Sequence, residues 1–230
     1  MSDSQLIVAL DTPSFARAQN LIDRLNGHFG LVKIGLEFFT ANGPDGTFRL
    51  VQGDCGTMPY FLDLKLHDIP NTVANAVKAV LPIFPLMLTV HALGGPAMIR
   101  AAREASEAAS HTRPMILAVT ILTSLTGADL VTLGFDGTMR AEVENLAAMA
   151  VEAGADGIVC SPHEVASLRA LLPETKLIVP GIRPRDAKAD DQARTMTAKQ
   201  AIAAGADWIV VGRPITQAND PAKAARDIWL

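Results

Sequence analysis

The chain has 230 residues, 49% hydrophobic and 19% charged, with a formal net charge of -4. So much apolar material supports a substantial core and excludes a disordered chain, and the acidic balance removes the electrostatic case for nucleic acid or an anionic membrane as partner. An anionic small molecule stays open, because a local basic pocket can oppose the global sign. The N-terminal "MSDSQLIVALD" sets one acid before a short apolar run and another after it, unlike a secretory signal. "VLPIFPLMLTV" at 80–90 holds two prolines and is too short to span a bilayer. Cys55 and Cys160 lie far apart, in no metal-ligand spacing, and read as reduced thiols. The expected location is the cytoplasm.

In chain order, β-rich apolar runs occur at "LIVALD" (6–11), "LVKIG" (31–35), "YFLDLK" (60–65), "LMLTVHA" (86–92), "MILAVTIL" (115–122), "GIVC" (157–160), "LIVP" (177–180) and "WIVVG" (208–212). Amphipathic, helix-forming stretches separate them at 13–27, 71–80, 96–109, 139–154, 162–172 and 197–205. Gly27, Gly154 and Gly205 follow the last periodic residues, where helices take their C-caps. The unit "EAGADGIVCS" (152–161) returns as "AAGADWIVVG" (203–212), a helix–Gly–Ala–Asp–strand pattern used twice. Eight strands alternating with helices, without a linker or a break in composition, predict an α/β chain forming a single (β/α)8 TIM barrel over residues 1–230. An open doubly wound sheet is the rival; the lack of Gly-x-Gly-x-x-Gly after the first strand weakens it.

A barrel gathers its chemistry at the C-terminal ends of its strands. Those ends carry Asp11, Lys33, Asp63 with Lys65, His91, Thr123, Ser161, Arg183 and Arg213. Asp63 and Lys65 are two apart on one strand and so point to the same face. An ion pair plugging the barrel would explain them. Lys33, reaching the same mouth, favours function, because two lysines and an acid there perturb one another's pKa values. Asp68 lies past the strand end, either a member of this group or a loop residue before a helix that Asn71 or Thr72 would cap. Asp11 is open in the same way, as a site residue or as part of a turn with Thr12 or Ser14 capping the first helix. His67 and His91 read as structural hydrogen-bonding residues. No set of His, Cys and carboxylate residues has metal spacing, so no metal site is inferred.

The last two strands run into "VPGIRP" (179–184) and "VVGRPI" (210–215). Gly-containing loops after strands 7 and 8 of a barrel hold phosphate with backbone N–H groups, and an arginine completes the charge. Gly212 and Arg213 fit that role. Between the two motifs, "RPRDAKADDQARTMT" is charged and poor in apolar residues. It reads as a mobile lid over about 183–195 that closes on a bound phosphate ester.

The stretch "DLKLHDIPNTV" resembles the signature of the orotidine 5′-monophosphate decarboxylase family, an Asp-x-Lys-x-x-Asp core followed by Ile-Pro-x-Thr. The resemblance continues, in order, through "ALD" (9–11), "VKIGLE" (32–37), "VHALGG" (90–95), "VTILTS" (119–124), "PGIRP" (180–184), "DDQAR" (190–194) and "VVGRPI" (210–215). It implies decarboxylation of orotidine 5′-monophosphate to uridine 5′-monophosphate (UMP), the last step of UMP synthesis, without a cofactor. The catalytic array would be Lys33, Asp63, Lys65 and Asp68, with Lys65 supplying the proton. The implied partner is a second copy of the chain, Asp68 and Thr72 serving the other subunit's site. Asp11 and Lys33 would hold the ribose hydroxyls, and Thr123 with Ser124 would face the pyrimidine amide. Gln192 would bridge from the lid, and Gly212 with Arg213 would bind phosphate. Arg183 matches a substrate-binding position of undefined contact. Asp-x-Lys-x-x-Asp alone is also similar to the Mg²⁺-dependent sugar-phosphate decarboxylases and synthases of the same barrel type. The remaining alternative is a barrel that binds a phosphate ligand without turnover.

Overall fold

Runs of Val, Ile and Leu that are apolar on both faces bury themselves as a parallel sheet covered on each side. The structure, a computed structural model, describes residues 3–53, 56–110, 112–183 and 196–230, and in it eight such runs close into a parallel barrel. They are β1 (Leu6–Ala9), β2 (Leu31–Gly35), β3 (Tyr60–Leu66), β4 (Met87–His91), β5 (Met115–Val119), β6 (Gly157–Val159), β7 (Lys176–Val179) and β8 (Trp208–Val211). Each strand pairs with the next, and β8 returns to β1, setting Leu6, Ile7 and Val8 opposite Ile209, Val210 and Val211. The architecture is the expected (β/α)8 barrel. Several strands end early, most of all β5, which stops at Val119 rather than at 122.

The helices are α1 (Phe15–Leu25), α2 (Leu36–Val51), α3 (Pro70–Val80), α4 (Gly95–Ser106), α5 (Gly127–Thr132), α6 (Met139–Glu152), α7 (Val165–Leu171), α8 (Ala198–Ala203), α9 (Arg213–Thr216) and α10 (Pro221–Asp227). The sequence reading lacks α2, because "ANGPDG" interrupts its periodicity. Gly43 breaks the helix at φ 66°, a conformation without penalty only for glycine, and Pro44 follows the kink. Ser14 caps α1, its side chain accepting from Arg17 N. At the other end of α1 the left-handed C-cap is Asn26, with Gly27 following at φ 77°, so the expected cap lies one residue late. Gly154 and Gly205 do take the left-handed conformation after α6 and α8, at φ 102° and 113°.

Period-two alternation sorts the strand residues into two layers. Leu6, Val8, Val32, Ile34, Leu62 and Leu88 face outward and are fully buried beneath the helices. Ile7, Leu31, Phe61, Met87, Leu117 and Ile178 face inward and fill the lumen. The lower barrel is therefore a packed plug, and its open space lies at the C-terminal mouth.

The repeated Gly-Ala-Asp unit fastens the opposite face. Asp156 accepts from Ile116 N at 2.8 Å and from both terminal nitrogens of Arg113 at 2.7 Å. Asp207 does the same one repeat later, accepting from Leu177 N at 2.9 Å, Arg169 at 2.6 Å and Lys176 at 3.0 Å. Each aspartate thus joins the strand it opens to the preceding one. No chemistry is needed to explain such residues at the N-terminal face of a barrel, where stability is the usual role.

Candidate active site

Alternation also places the charges. Two residues beyond the plug positions Leu31, Phe61 and Met87 come Lys33, Asp63 and Thr89, on adjacent strands and again facing inward, one layer nearer the mouth. Lys33 Nζ lies 3.3 Å from Asp63 Oδ2 and 3.4 Å from Asp11 Oδ1. Lys65 Nζ donates to both Asp63 oxygens at 2.9 Å. Thr89 Oγ1 donates to Asp63 Oδ1 at 3.0 Å and accepts from Lys65 N at 2.8 Å. Thr89 is fully buried and Asp63 is 7% exposed.

Lys65 meets Asp63 by a route that differs from the expected one. β3 and β4 are in register at Leu62 and Leu88, and next at Leu66 and Val90. Four residues of β3 therefore advance where β4 advances two, and Lys65 stands in the left-handed region at φ 50°. The two side chains converge through this bulge, not through regular alternation. A non-glycine residue held there is strained, and such strain persists only where neighbouring contacts enforce it.

Burial alone would drive Asp63 towards its neutral form, but Lys33 and Lys65, with the hydrogen bonds from Lys65 and Thr89, hold its pKa below the usual carboxylate value. Burial likewise works against the Lys33 ammonium, and Asp63 and Asp11 outweigh it, raising its pKa. Both groups stay charged across the neutral range. His91 is pushed the other way, by burial first and then by His67 and Lys65. Its ring stacks on His67 at 5.3 Å and its Nδ1 accepts from Leu93 N, in keeping with the structural role expected of the pair.

A cavity of about 270 Å³ opens above this array. Asp11, Lys33, Asp63 and Lys65 form one side. Pro180, Gly181, Arg183, Gly212 and Arg213 come from the loops after β7 and β8. Val119, Ile121, Leu122, Thr123 and Val159 supply a largely apolar wall. Gly212 caps α9, and a Cβ there would meet Asp11 Oδ2 at 3.6 Å. A Cβ on Gly35 would meet Lys33 Nζ at 3.1 Å, so the end of β2 stays bare where the ammonium lies. The arrangement provides a cationic array, an apolar slot and an arginine-bearing rim within one space, suited to a flat ring with an anionic tail.

Three expected residues do not line this cavity. Ser124 is exposed beside Thr123. Asp68 and Thr72 are exposed outside it, and Asp68 Oδ1 accepts from Ile69 N at 2.6 Å. The expectation that Asn71 or Thr72 caps α3 is corrected: the N-cap is Ile69, Pro70 follows, and both polar residues fall inside the first turn. Gln192 and most of the lid, residues 184–195, lie outside the described residues. Sequence reasoning missed Thr89; its signal was a lone hydroxyl in the apolar run "LMLTVHA". Among the described residues, no cluster of three or more His, Cys, Asp or Glu is arranged to hold a metal ion.

Residues 4–228 match the model of the orotidine 5′-phosphate decarboxylase / HUMPS family. A protein of Gluconobacter oxydans named orotidine 5′-phosphate decarboxylase is 50% identical over 229 residues, covering 98% of this chain and 95% of its own. One of the same name from Paramagnetospirillum magneticum is 52% identical, over 95% of this chain and 94% of its own. Among solved structures, orotidine 5′-phosphate decarboxylase from Lactobacillus acidophilus superposes with a TM-score of 0.84 at 39% identity, over 97% of this chain and 96% of that one.

Proposed function

The chain belongs to the orotidine 5′-phosphate decarboxylase / HUMPS family, and on that premise we propose that it converts orotidine 5′-monophosphate to UMP, the last step of UMP synthesis. The reading rests above all on one observation. Lys65 Nζ stands 2.9 Å from both oxygens of a buried aspartate, with Lys33 on that aspartate's other side, at the floor of a cavity rimmed by Arg213.

Loss of CO2 breaks the bond to C6 and leaves its electron pair in the plane of the ring, where the π system cannot accept it. Stabilisation must then come from fixed charge, and the required barrier reduction is roughly 20 kcal/mol, near the upper end for enzymes. An ammonium beside C6 opposes the developing negative charge and then delivers the proton, after which the amine regains one from water. Asp63 fixes that ammonium in position, accepting from it through both oxygens. Asp11 and Lys33 hold the ribose hydroxyls, and Thr123 faces the pyrimidine amide, with Ser124 beside it outside the cavity. Gly212 and Arg213 bind phosphate, Arg183 touches the substrate from the same rim, and the loop of about 183–195, with Gln192, closes over it. Binding energy from the remote phosphate orders the array and so contributes to rate.

The working unit of this reading is a homodimer of single-domain chains in the cytoplasm, where the charged substrate is retained. Asp68 and Thr72 of the partner subunit complete each site. Their exposure outside their own cavity supports this, as do exposed apolar residues just past the ends of β2, β3 and β4: Leu36 is 54% exposed, Ile69 65% and Leu93 41%. The test is loss of the orotate absorbance when purified protein meets orotidine 5′-monophosphate with a chelator present. Turnover restored only by added Mg²⁺ would instead assign a sugar-phosphate enzyme's metal chemistry, and binding without turnover would leave a ligand-binding barrel. Lys65→Ala should abolish turnover and keep much of the affinity for UMP; near-normal turnover would remove Lys65 from its role.

A further inference from the structure

Thr89 is a polar residue in a barrel interior otherwise lined, at the level below, by Leu31, Phe61, Met87 and Leu117. An unpartnered hydroxyl there would be costly, so the question is what it pairs with. A hydroxyl has one proton to give and lone pairs to receive. The Lys65 N–H can only donate and the Asp63 carboxylate can only accept, so the direction of both contacts is settled: Lys65 N–H to Thr89 Oγ1 at 2.8 Å, Thr89 O–H to Asp63 Oδ1 at 3.0 Å. With the Lys65 Nζ bonds to Asp63, these contacts form a closed ring that ties backbone and side chain of the same lysine to one carboxylate.

The position of the ring matters. Between Leu62 and Leu66, β3 leaves its register with β4, and within that break Lys65 N–H donates to the side chain of Thr89 on β4. Lys65 can then stay at φ 50° without an orphaned amide. We propose that Thr89 is a positioning residue for the decarboxylation: its hydroxyl holds the Lys65 bulge and orients Asp63, and thereby sets where the Lys65 ammonium stands. The proposal rests on the reading of Lys65 as proton donor, and predicts an effect on turnover through Lys65 rather than on nucleotide binding.

The experiment compares Thr89→Val, which keeps the shape and removes the hydroxyl, with Thr89→Ser, which keeps the hydroxyl and removes a methyl. Thr89→Val should lower kcat by about ten- to a hundredfold, the effect of one charge-assisted hydrogen bond, and leave UMP affinity within about threefold. Its pH–rate profile should also lose activity at a higher pH on the acid side, because Asp63 loses a donor that favours its charged form. Thr89→Ser should recover most of the turnover and the normal acid limb. Unchanged kcat in Thr89→Val overturns the proposal, as does Thr89→Ser falling as far as Thr89→Val, which would assign the effect to packing. If Thr89→Val does not fold, Thr89→Ala, with rates normalised to folded protein, takes its place under the same two outcomes. Lys65→Ala run alongside separates the levels: if it is inactive while Thr89→Val is normal, only the role of Thr89 fails; if it is active, the reading of Lys65 fails.

Discussion

Replacing Asp63 with Asn keeps the side chain's shape and removes one unit of charge from the middle of the array. Lys33 Nζ is 3.3 Å and Lys65 Nζ 2.9 Å from its oxygens. At an effective dielectric of about 20 a contact of that length carries roughly 5 kcal/mol before desolvation, and in bulk water about a quarter of that. The Lys33 side chain is 13% exposed and that of Lys65 33%, so Lys33 lies nearer the first limit and Lys65 between the two. Net of desolvation, leaving a buried charge unpaired costs about 3–5 kcal/mol. In a chain of this length that is a fall in Tm of roughly 10 °C. The chemical step loses the group that fixes Lys65, and kcat should fall by at least about 10²–10³, as when one preorganised electrostatic partner is removed. UMP lacks the reacting carboxylate and, with its phosphate at Arg213 as proposed, should bind with far less change. Initial rates from the orotate absorbance and thermal unfolding by circular dichroism measure the two effects on the same samples. A kcat within threefold of wild type would refute the assignment of Asp63. A lower kcat with a higher Tm would refute the energetic argument alone, meaning that the crowded cations strain the fold more than their shared carboxylate relieves it.

Arg213→Ala should weaken UMP binding by about 10²-fold while barely changing the affinity for uridine; an equal loss for both would remove Arg213 from the phosphate site. Inactive Lys65→Ala and Asp68→Ala chains, mixed and allowed to exchange, should regain activity in hybrid dimers that hold one intact site; mixtures that stay inactive would place Asp68 in its own subunit's site. Asp207→Asn should lower Tm by several degrees and leave kcat at 25 °C unchanged, since Asp207 joins β7 and β8 at the face opposite the cavity. The Asp207 pKa is held below its ordinary value: burial opposes the charge, but the Leu177 amide and then Lys176 and Arg169 outweigh it. A depressed carboxylate contributes stability that is present above its unfolded pKa of about 3.9 and lost as pH falls through the folded value. Wild type should therefore lose more stability than Asp207→Asn between about pH 5 and pH 2, as read from urea midpoints; equal losses would refute the linkage.

Most of the fold was legible because its signals are local. A parallel barrel strand is a short run of β-branched and aliphatic residues, and all eight runs stand out from the Ala-rich stretches between them. α2 was not legible, since Gly43 and Pro44 erase its periodicity while the kinked chain still buries Phe38, Leu50 and Val51. In the site, Asp11, Lys33, Asp63, Lys65, Arg183 and Arg213 could be found because ionisable residues at the ends of apolar strands are conspicuous. Thr89 is neither charged nor at a strand end, and only the fold reveals that its hydroxyl faces Asp63. Ile121 and Leu122 were hidden for a similar reason: apolar residues in an apolar run do not announce whether they line a ligand slot or a core.

Lys65 marks a deeper limit of sequence reasoning. The rule that residues two apart share a face led to the right pair by a geometry the strand does not have. The backbone has left the ladder at that point, and a left-handed lysine costs on the order of 1–2 kcal/mol wherever nothing compensates for it. Here the compensation comes from Asp63 and Thr89, the same groups that orient the ammonium. The strain at Lys65 and the placement of its ammonium therefore rest on one set of contacts. Lys65→Gly, free of the positive-φ penalty, should show a Tm at least as high as Lys65→Ala in thermal unfolding, both being inactive for want of the amine; a clearly lower Tm for the glycine variant would refute the strain at this position.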